Sequence, residues 1–183
     1  MGRRFDEITP ALREWIEAQR LFFVATAPLA PDGHVNCSPK GLETLRVLGP
    51  REVAYLDLTG SGAETIAHLR ENGRIVIMFC ALAGPPRILR LHGRGSVVLP
   101  DSAEWPGLRA QFPERLGDRA IIRIQTTRIS DSCGFGVPRY ELVADREALE
   151  QWCEHTGPDG LARYQRDKNA ASIDGLPALD APD

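Results

Sequence analysis

From Leu21 to Ser130 the chain runs as short β-type segments separated by turn residues, and helical spacing replaces that pattern only briefly. The segments are 21–27, 34–38, 43–48, 53–58, 74–82, 87–91, 95–99 and 120–130. Segments this close together leave no room for repeated helical crossovers, so neighbouring strands must pair antiparallel through tight connections. Pro31-Asp32-Gly33 is one such connection, folding 34–38 back on 21–27 as a hairpin. Between Leu58 and Arg74 the period changes: Ile66, Ala67, Leu69 and Arg70 suit a short helix that ends at Asn72-Gly73. Many strands with isolated helices predict a mainly β (α+β) domain, a small closed or partly closed barrel rather than a doubly wound sheet.

Thr9-Pro10 reads as the N-cap and first position of a helix over 10–19, with Leu12, Trp15, Ile16 and Gln19 on one face. A second short helix is expected over 102–111, and a third, capped by Asp145, carries Leu149, Trp152 and Cys153 on one side. From about residue 170 the chain is rich in Pro, Ala and Asp and reads as irregular, although 173–177 could clamp onto the body. With 183 residues and 43% hydrophobic content there is enough apolar material for one domain spanning 1–183.

Charge narrows the function classes. The formal net charge is −3 and the 22 basic residues are scattered, so no nucleic-acid partner is expected. No apolar run approaches the roughly 18 residues of a membrane span, and residues 1–7 do not lead into an apolar signal core, so a cytoplasmic protein is expected. Cys37, Cys80, Cys133 and Cys153 form no Cys-x-x-Cys pair and have no His at zinc-finger spacing, which predicts reduced thiols and no metal site.

Three places carry polar chemistry. His34 to Gly41 puts Asn36, Ser38, Pro39 and Lys40 where a core strand would carry apolar side chains. Small polar groups and one cation suit a strand that lines a ligand groove, and Pro39 suits a strand edge. Asp57 to Thr65, with Gly60 and Gly62, runs from a strand end into a helix start, where unsatisfied amides and the helix dipole favour an anion. Such turns also carry Gly and Ser for capping alone, so the loop by itself names no ligand. Its Gly-x-Gly run is not a dinucleotide fingerprint, because Thr65 stands where the third glycine belongs. Arg87, Arg90 and Arg94 share one strand that could offer a guanidinium to phosphate or lie solvated at an edge. Ser132-Cys133-Gly134 opens a loop of small residues that a flat ligand or a neighbouring chain could approach.

The order of these motifs resembles the pyridoxamine 5'-phosphate oxidase-like family of FMN-binding split barrels. It runs from Phe22-Phe23-Val24-Ala25-Thr26 through Gly33 to Gly41, Tyr55-Leu56-Asp57 with its glycine loop, Thr65 to Phe79, and Arg87 to Gly95. The resemblance implies a six-stranded split β-barrel and a homodimer with FMN at the interface. It places Ser38 and Lys40 on the cofactor-facing strand, Leu58 and Thr59 beside the flavin ring, and Gly62, Ala63, Glu64 and Thr65 near the phosphate. Arg90 becomes a further phosphate or ring contact, and Ser132, Cys133 and Gly134 approach from the partner. The implied activity is oxidoreduction of a small molecule without an assigned catalytic acid or base. Related barrels use deazaflavin F420, and a flavin- or haem-binding module without turnover is a further reading. Two departures stand out: the acidic C-terminal tail replaces a basic substrate motif, and Val35 stands near where the family's phosphate strand carries arginine.

Overall fold

The computed structural model describes residues 2–179. The last four residues of the acidic tail, 180–183, lie outside the described residues. The elements follow in the order β1 (Arg4–Phe5), α1 (Pro10–Glu17), β2 (Phe22–Thr26), β3 (Asn36–Lys40), β4 (Leu45–Gly49), β5 (Glu52–Leu58) and α2 (Glu64–Asn72). Then come β6 (Arg74–Cys80), β7 (Ile88–Val98), α3 (Trp105–Arg109), β8 (Asp118–Ser132) and α4 (Ala148–Lys168).

Local chemistry accounts for the helix ends. Thr9 caps α1 by accepting from the Leu12 amide at 3.3 Å, and Pro10 fills the first turn, where a missing N–H costs nothing. Helix α2 ends at Gly73, whose φ of 70° is the left-handed conformation that closes a helix. Asp145 is not a cap: α4 begins after Glu147 without any side-chain cap bond. Gly157 breaks α4 with φ 67° and ψ 168° just before Pro158, and the Trp152 and Tyr164 rings pack edge to face across that break, 5.1 Å apart.

All strand pairs are antiparallel, in the order β3-β2-β6-β7-β8-β5-β4, with β1 added beside β8. The fold is thus a split-barrel sheet of eight strands, not six. The segments expected at 87–91 and 95–99 are one strand, β7. Gly93 joins them, because a Cβ there would overlap the Gln125 carbonyl, and only glycine lets β7 bend this close to β8.

The two sheet edges, β3 and β4, are consecutive in the chain, and among the described residues they do not pair. The turn that joins them forces Leu42 (φ 58°) and Glu43 (φ 56°) into the left-handed region, a strain of order 1 kcal/mol or more each. Thr44 holds the turn by donating its hydroxyl to Gly41 O at 2.7 Å. The sheet therefore curls without closing, and the gap between its edges is the split.

Inside the curl, Val24, Val53, Tyr55, Ile77, Phe79, Leu89, Leu91, Ile122 and Ile124 are essentially solvent-free, each contributing about 1.5–3 kcal/mol by burial. Phe22 bridges Tyr55 and Phe79 at ring distances of 5.7 and 6.0 Å. Ile66, Ala67 and Leu69 of α2 join this core. The opposite face of the sheet is different: Phe23, Val76, Met78 and Ile88 are half-exposed there beside Arg90 and His92. Among the described residues no helix is long and apolar enough to cross a membrane, and no group of three or more His, Cys, Asp or Glu side chains could hold a metal ion.

Candidate functional site

Strand β3 alternates between two environments. Cys37 and Pro39 face solvent, whereas Asn36, Ser38 and Lys40 turn inward, opposite Thr26, Val24 and Phe22 of β2. Being an edge strand, β3 leaves these inward groups uncovered on one side, where they meet the loop between β5 and α2. The resulting cleft has a volume of about 260 Å³ and is bordered by Asn36, Ser38, Lys40, Leu58, Arg119 and the loop from Gly60 to Thr65.

Its floor is an ionic cluster. Asp57 is 1% exposed, and its carboxylate accepts from Lys40 Nζ at 3.1 Å and from Arg119 Nε at 2.8 Å. Burial works against the charge on Asp57, but Lys40 and Arg119 outweigh it and hold the carboxyl below its ordinary range. Arg119 Nη1 donates onward to Asn169 Oδ1 at 2.8 Å, and Asn169 Nδ2 donates to Gly60 O at 2.9 Å. The end of α4 is thereby tied to the glycine loop through buried groups.

Asn36 organises the wall. Its amide donates to Thr65 Oγ1 at 3.0 Å and Thr26 Oγ1 at 3.2 Å, and its carbonyl accepts from Ser38 Oγ at 2.9 Å. Thr26 Oγ1 also lies 2.9 Å from Nδ1 of His68, whose Nε2 is buried without a partner. Burial lowers the His68 pKa, so the imidazole is neutral at physiological pH. Behind Lys40, the Tyr55 ring centroid lies 5.9 Å from Nζ, and burial, followed by the Asp57 charge, pushes the Tyr55 hydroxyl well above the usual phenol range.

The roof is the start of α2. Its N-cap, Ala63, has a methyl side chain that accepts no hydrogen bond, so the first-turn amides have no side-chain cap. Glu64, the first residue of the helix, is half-buried and folds back over Gly62, accepting from the Ile173 amide at 3.3 Å.

Of the residues singled out from sequence, Ser38, Lys40, Leu58, Gly62, Glu64 and Thr65 border this one cleft. Ala63 is buried behind it, and Thr59 points inward, its amide and hydroxyl both donating to Gly117 O at 2.7 Å. Arg90, Ser132, Cys133 and Gly134 lie elsewhere. Arg90 is on the outer face of the sheet, donating to Ser132 Oγ at 3.1 Å. Ser132 and Cys133 line a separate hollow with Trp15, Arg87 and Asp131, and Gly134, at φ 67°, rests against the Arg87 backbone. Arg87 is already engaged by Asp131 at 3.0 Å and by the Trp15 ring at 4.9 Å. Two cavities more than three times as large, an apolar one of about 910 Å³ beside Trp15, Leu82 and Tyr140 and one of about 1010 Å³ beside Trp105 and Arg115, share none of the cleft's donors.

Sequence reasoning missed Arg119 and Asn169 as parts of the site, and took Asp57 only as the start of the glycine loop, not as the anchor of its floor. Their signal was weak but present: Asp57 interrupts the apolar run from Val53 to Leu58, and Arg119 opens the apolar run Ala120-Ile121-Ile122. A charge inside a buried strand requires a partner.

Comparison with known proteins agrees with this architecture. The family model described as pyridoxamine 5'-phosphate oxidase matches residues 8–133. The chain is 41% identical over 192 residues to the pyridoxamine 5'-phosphate oxidase family protein ustO of Aspergillus flavus, covering 96% of this chain and 77% of that one. Among solved structures it is similar to a candidate pyridoxamine 5'-phosphate oxidase from Lactobacillus delbrueckii (TM-score 0.52, 13% identity, 69% of this chain and 98% of that one). It is also similar to the heme storage protein HutZ from Vibrio cholerae (TM-score 0.50, 21% identity, 67% of this chain and 92% of that one). At these identities the structural likeness speaks for the fold alone. The matched span contains β2 to β8 and the whole wall, roof and ionic floor of the cleft up to Arg119, and on that span the chain belongs to the pyridoxamine 5'-phosphate oxidase family.

Proposed function

We propose that this chain binds a phosphorylated flavin, FMN, through the cleft between β3 and the start of α2, and acts as an oxidoreductase on a small molecule. The observation that carries the reading is the convergence of Lys40, Asn36, Ser38 and the uncapped α2 amides on one polar cleft. This donor set suits a phosphate, since charge-assisted hydrogen bonds contribute about 1.5–3 kcal/mol each. Two carboxylates oppose an anion there: Asp57, which Lys40 and Arg119 neutralise in the floor, and Glu64 on the lining.

About 260 Å³ is below the roughly 300–1,000 Å³ of a small-molecule pocket, so the cleft suits the phosphate end and leaves the flat ring outside. The half-exposed outer face of Phe23, Val76, Met78 and Ile88 supports a homodimer in which a second copy covers the ring. In that arrangement Arg90 and the Ser132 to Gly134 loop serve the partner's flavin. Four free cysteines fit a reducing, cytoplasmic setting.

Bound there, the flavin supplies the hydride-accepting centre. The chain's own residues bind and orient. Asp57 keeps the Lys40 ammonium at the cleft floor, and Asn36 holds Ser38 and Thr65 in fixed directions. Among the described residues no histidine borders the cleft, which favours a flavin over haem, whose iron takes an axial ligand such as histidine.

The test is to heat-release whatever copurifies, identify it by mass and visible spectrum, and titrate the stripped protein with FMN, F420 and haem. FMN is expected to bind, and Lys40→Met to weaken it roughly tenfold to a hundredfold, the loss of one charge-assisted bond. Stripped wild-type protein that takes up no FMN sinks the reading, and preferential uptake of F420 or haem replaces it.

A further inference from the structure

Glu64 stands where an incoming phosphate would sit. As the first residue of an uncapped helix, it carries a negative charge at the helix N-terminus, which favours an anion, and its carboxylate lies over Gly62 at the cleft. Room for it comes from Gly62, because a Cβ there would overlap the Glu64 carboxylate. The other carboxylate oxygen accepts from the Ile173 amide at 3.3 Å.

Ile173 belongs to a C-terminal clasp. Its turn is closed by Ser172 N donating to Leu176 O at 2.9 Å and by the bridge between Ala171 and Pro177. The clasp is fastened to the body by Asp174, which accepts from the His34 amide at 2.8 Å, and by the buried Ala178. Upstream, Gln165 Nε2 donates to Thr59 Oγ1 at 2.8 Å. Glu64 is therefore the direct link between the anion seat and residues 170–179.

The charges in the cleft balance: Lys40 and Arg119 stand against Asp57 and Glu64. Asp57 is enclosed and bonded to both cations, so it cannot leave. Glu64, half-buried on the cleft rim, is the balancing charge that can move aside.

We propose that Glu64 is an internal stand-in for a ligand's phosphate: it holds the seat in the free chain, and a phosphate enters by displacing it, which releases Ile173 and loosens the clasp. The identity of the ligand as FMN rests on the reading above; the seat itself does not. Phosphorylated ligand and closed clasp then oppose each other, and the coupling is reciprocal. A ligand without phosphate, such as riboflavin, does not sense residue 64.

The experiment uses the full chain. FMN, riboflavin and inorganic phosphate are titrated against wild type and Glu64→Gln, and amide exchange of residues 170–179 is followed by mass spectrometry. Glu64→Gln is expected to bind FMN and inorganic phosphate about tenfold more tightly, with riboflavin unchanged. In wild type, FMN and phosphate should speed exchange across the clasp and riboflavin should not. Glu64→Ala, which leaves Ile173 no acceptor, should exchange fast there without ligand. Equal FMN affinity in wild type and Glu64→Gln, with exchange unmoved by FMN, overturns the inference and leaves flavin binding standing. If no flavin binds but phosphate loosens the clasp, flavin binding falls and the seat stands. If phosphate and FMN do neither in any variant, both fall.

Discussion

Arg119 and Asp57 face each other across neighbouring strands β8 and β5, Nε to Oδ2 at 2.8 Å, with only 5% and 1% of their side chains exposed. A pair so enclosed is expensive to break from one side, because the remaining charge is left unsolvated. Asp57→Asn is expected to lower stability by about 3–5 kcal/mol, measured by urea unfolding at neutral pH. A loss below about 1 kcal/mol would mean that water reaches the cluster.

The same carboxyl sets the acid limit. Its folded pKa is lowered, so its contribution is present above the unfolded value of about 3.9 and is lost as pH falls through the lower folded value. Wild-type stability should therefore decline below about pH 4, and Asp57→Asn should flatten that decline. Parallel acid limbs in the two proteins would assign the effect to other carboxylates.

A second titration acts on the clasp with the opposite sign. His34 Nδ1 lies 2.6 Å from Asp174 Oδ1, and that hydrogen bond, reinforced by the carboxylate charge, raises the His34 pKa. A raised histidine pKa contributes fully below the unfolded value of about 6.5, and its contribution is lost as pH rises through the folded value. Once intrinsic exchange rates are corrected for pH, the amides of residues 172–176 should be better protected at low pH than at high pH. His34→Ala should remove that difference. The backbone bond from His34 N to Asp174 Oδ2 does not titrate with the ring, so the clasp weakens without opening fully.

These pairings also mark where sequence stopped being informative. Elements set by neighbours in the chain could be read: the helix capped by Thr9, the helix closed by Gly73, and the inward polar face of Asn36, Ser38 and Lys40. The ionic floor could not. Asp57 meets Arg119 62 positions away and Arg119 meets Asn169 50 positions away, and no local period encodes such partners. Gly93 misled for a related reason. Glycines inside a β pattern look like a break, whereas here the missing Cβ makes room for a carbonyl of the next strand. Asp145 looked like a helix cap by residue type, yet the helix starts three residues later.

Gly117 tests the junction beneath the cleft. Its φ of 78° is left-handed, and a Cβ would fall 2.6 Å from Cys153 Sγ of α4. Its carbonyl receives both the amide and the hydroxyl of Thr59. Gly117→Ala is thus strained in backbone and in space, and should cost about 2 kcal/mol or more in thermal or urea unfolding. Gly84→Ala is the control, since it shares a left-handed φ of 70° but meets nothing within 4 Å, so it pays the backbone strain alone. Equal losses in the two variants would show that α4 does not press on Gly117.

Asn169 closes the circuit between the cleft floor and the α4 end. It is fully buried, giving its amide to Gly60 O and taking Arg119 Nη1 on its carbonyl. Asn169→Ala strands a guanidinium N–H and a loop carbonyl in a site with little water, at a cost of about 1–3 kcal/mol for each group left unpaired. The loss should not spread evenly. The loop from Thr59 to Gly62 and the end of α4 lose one of their two shared bonds, keeping Gln165 to Thr59, whereas the strand pairing of β5 with β8 keeps its own ladder. Amide exchange should rise in 59–62 and 165–172 while Val53 to Leu56 stay protected. Asn169→Asp separates charge from connectivity: it keeps the acceptor for Arg119, now as a carboxylate, and removes the donor to Gly60. If loop exchange rises in Asn169→Asp as much as in Asn169→Ala, the Gly60 bond is what orders the glycine loop. If Asn169→Asp stays protected, the order comes through Arg119.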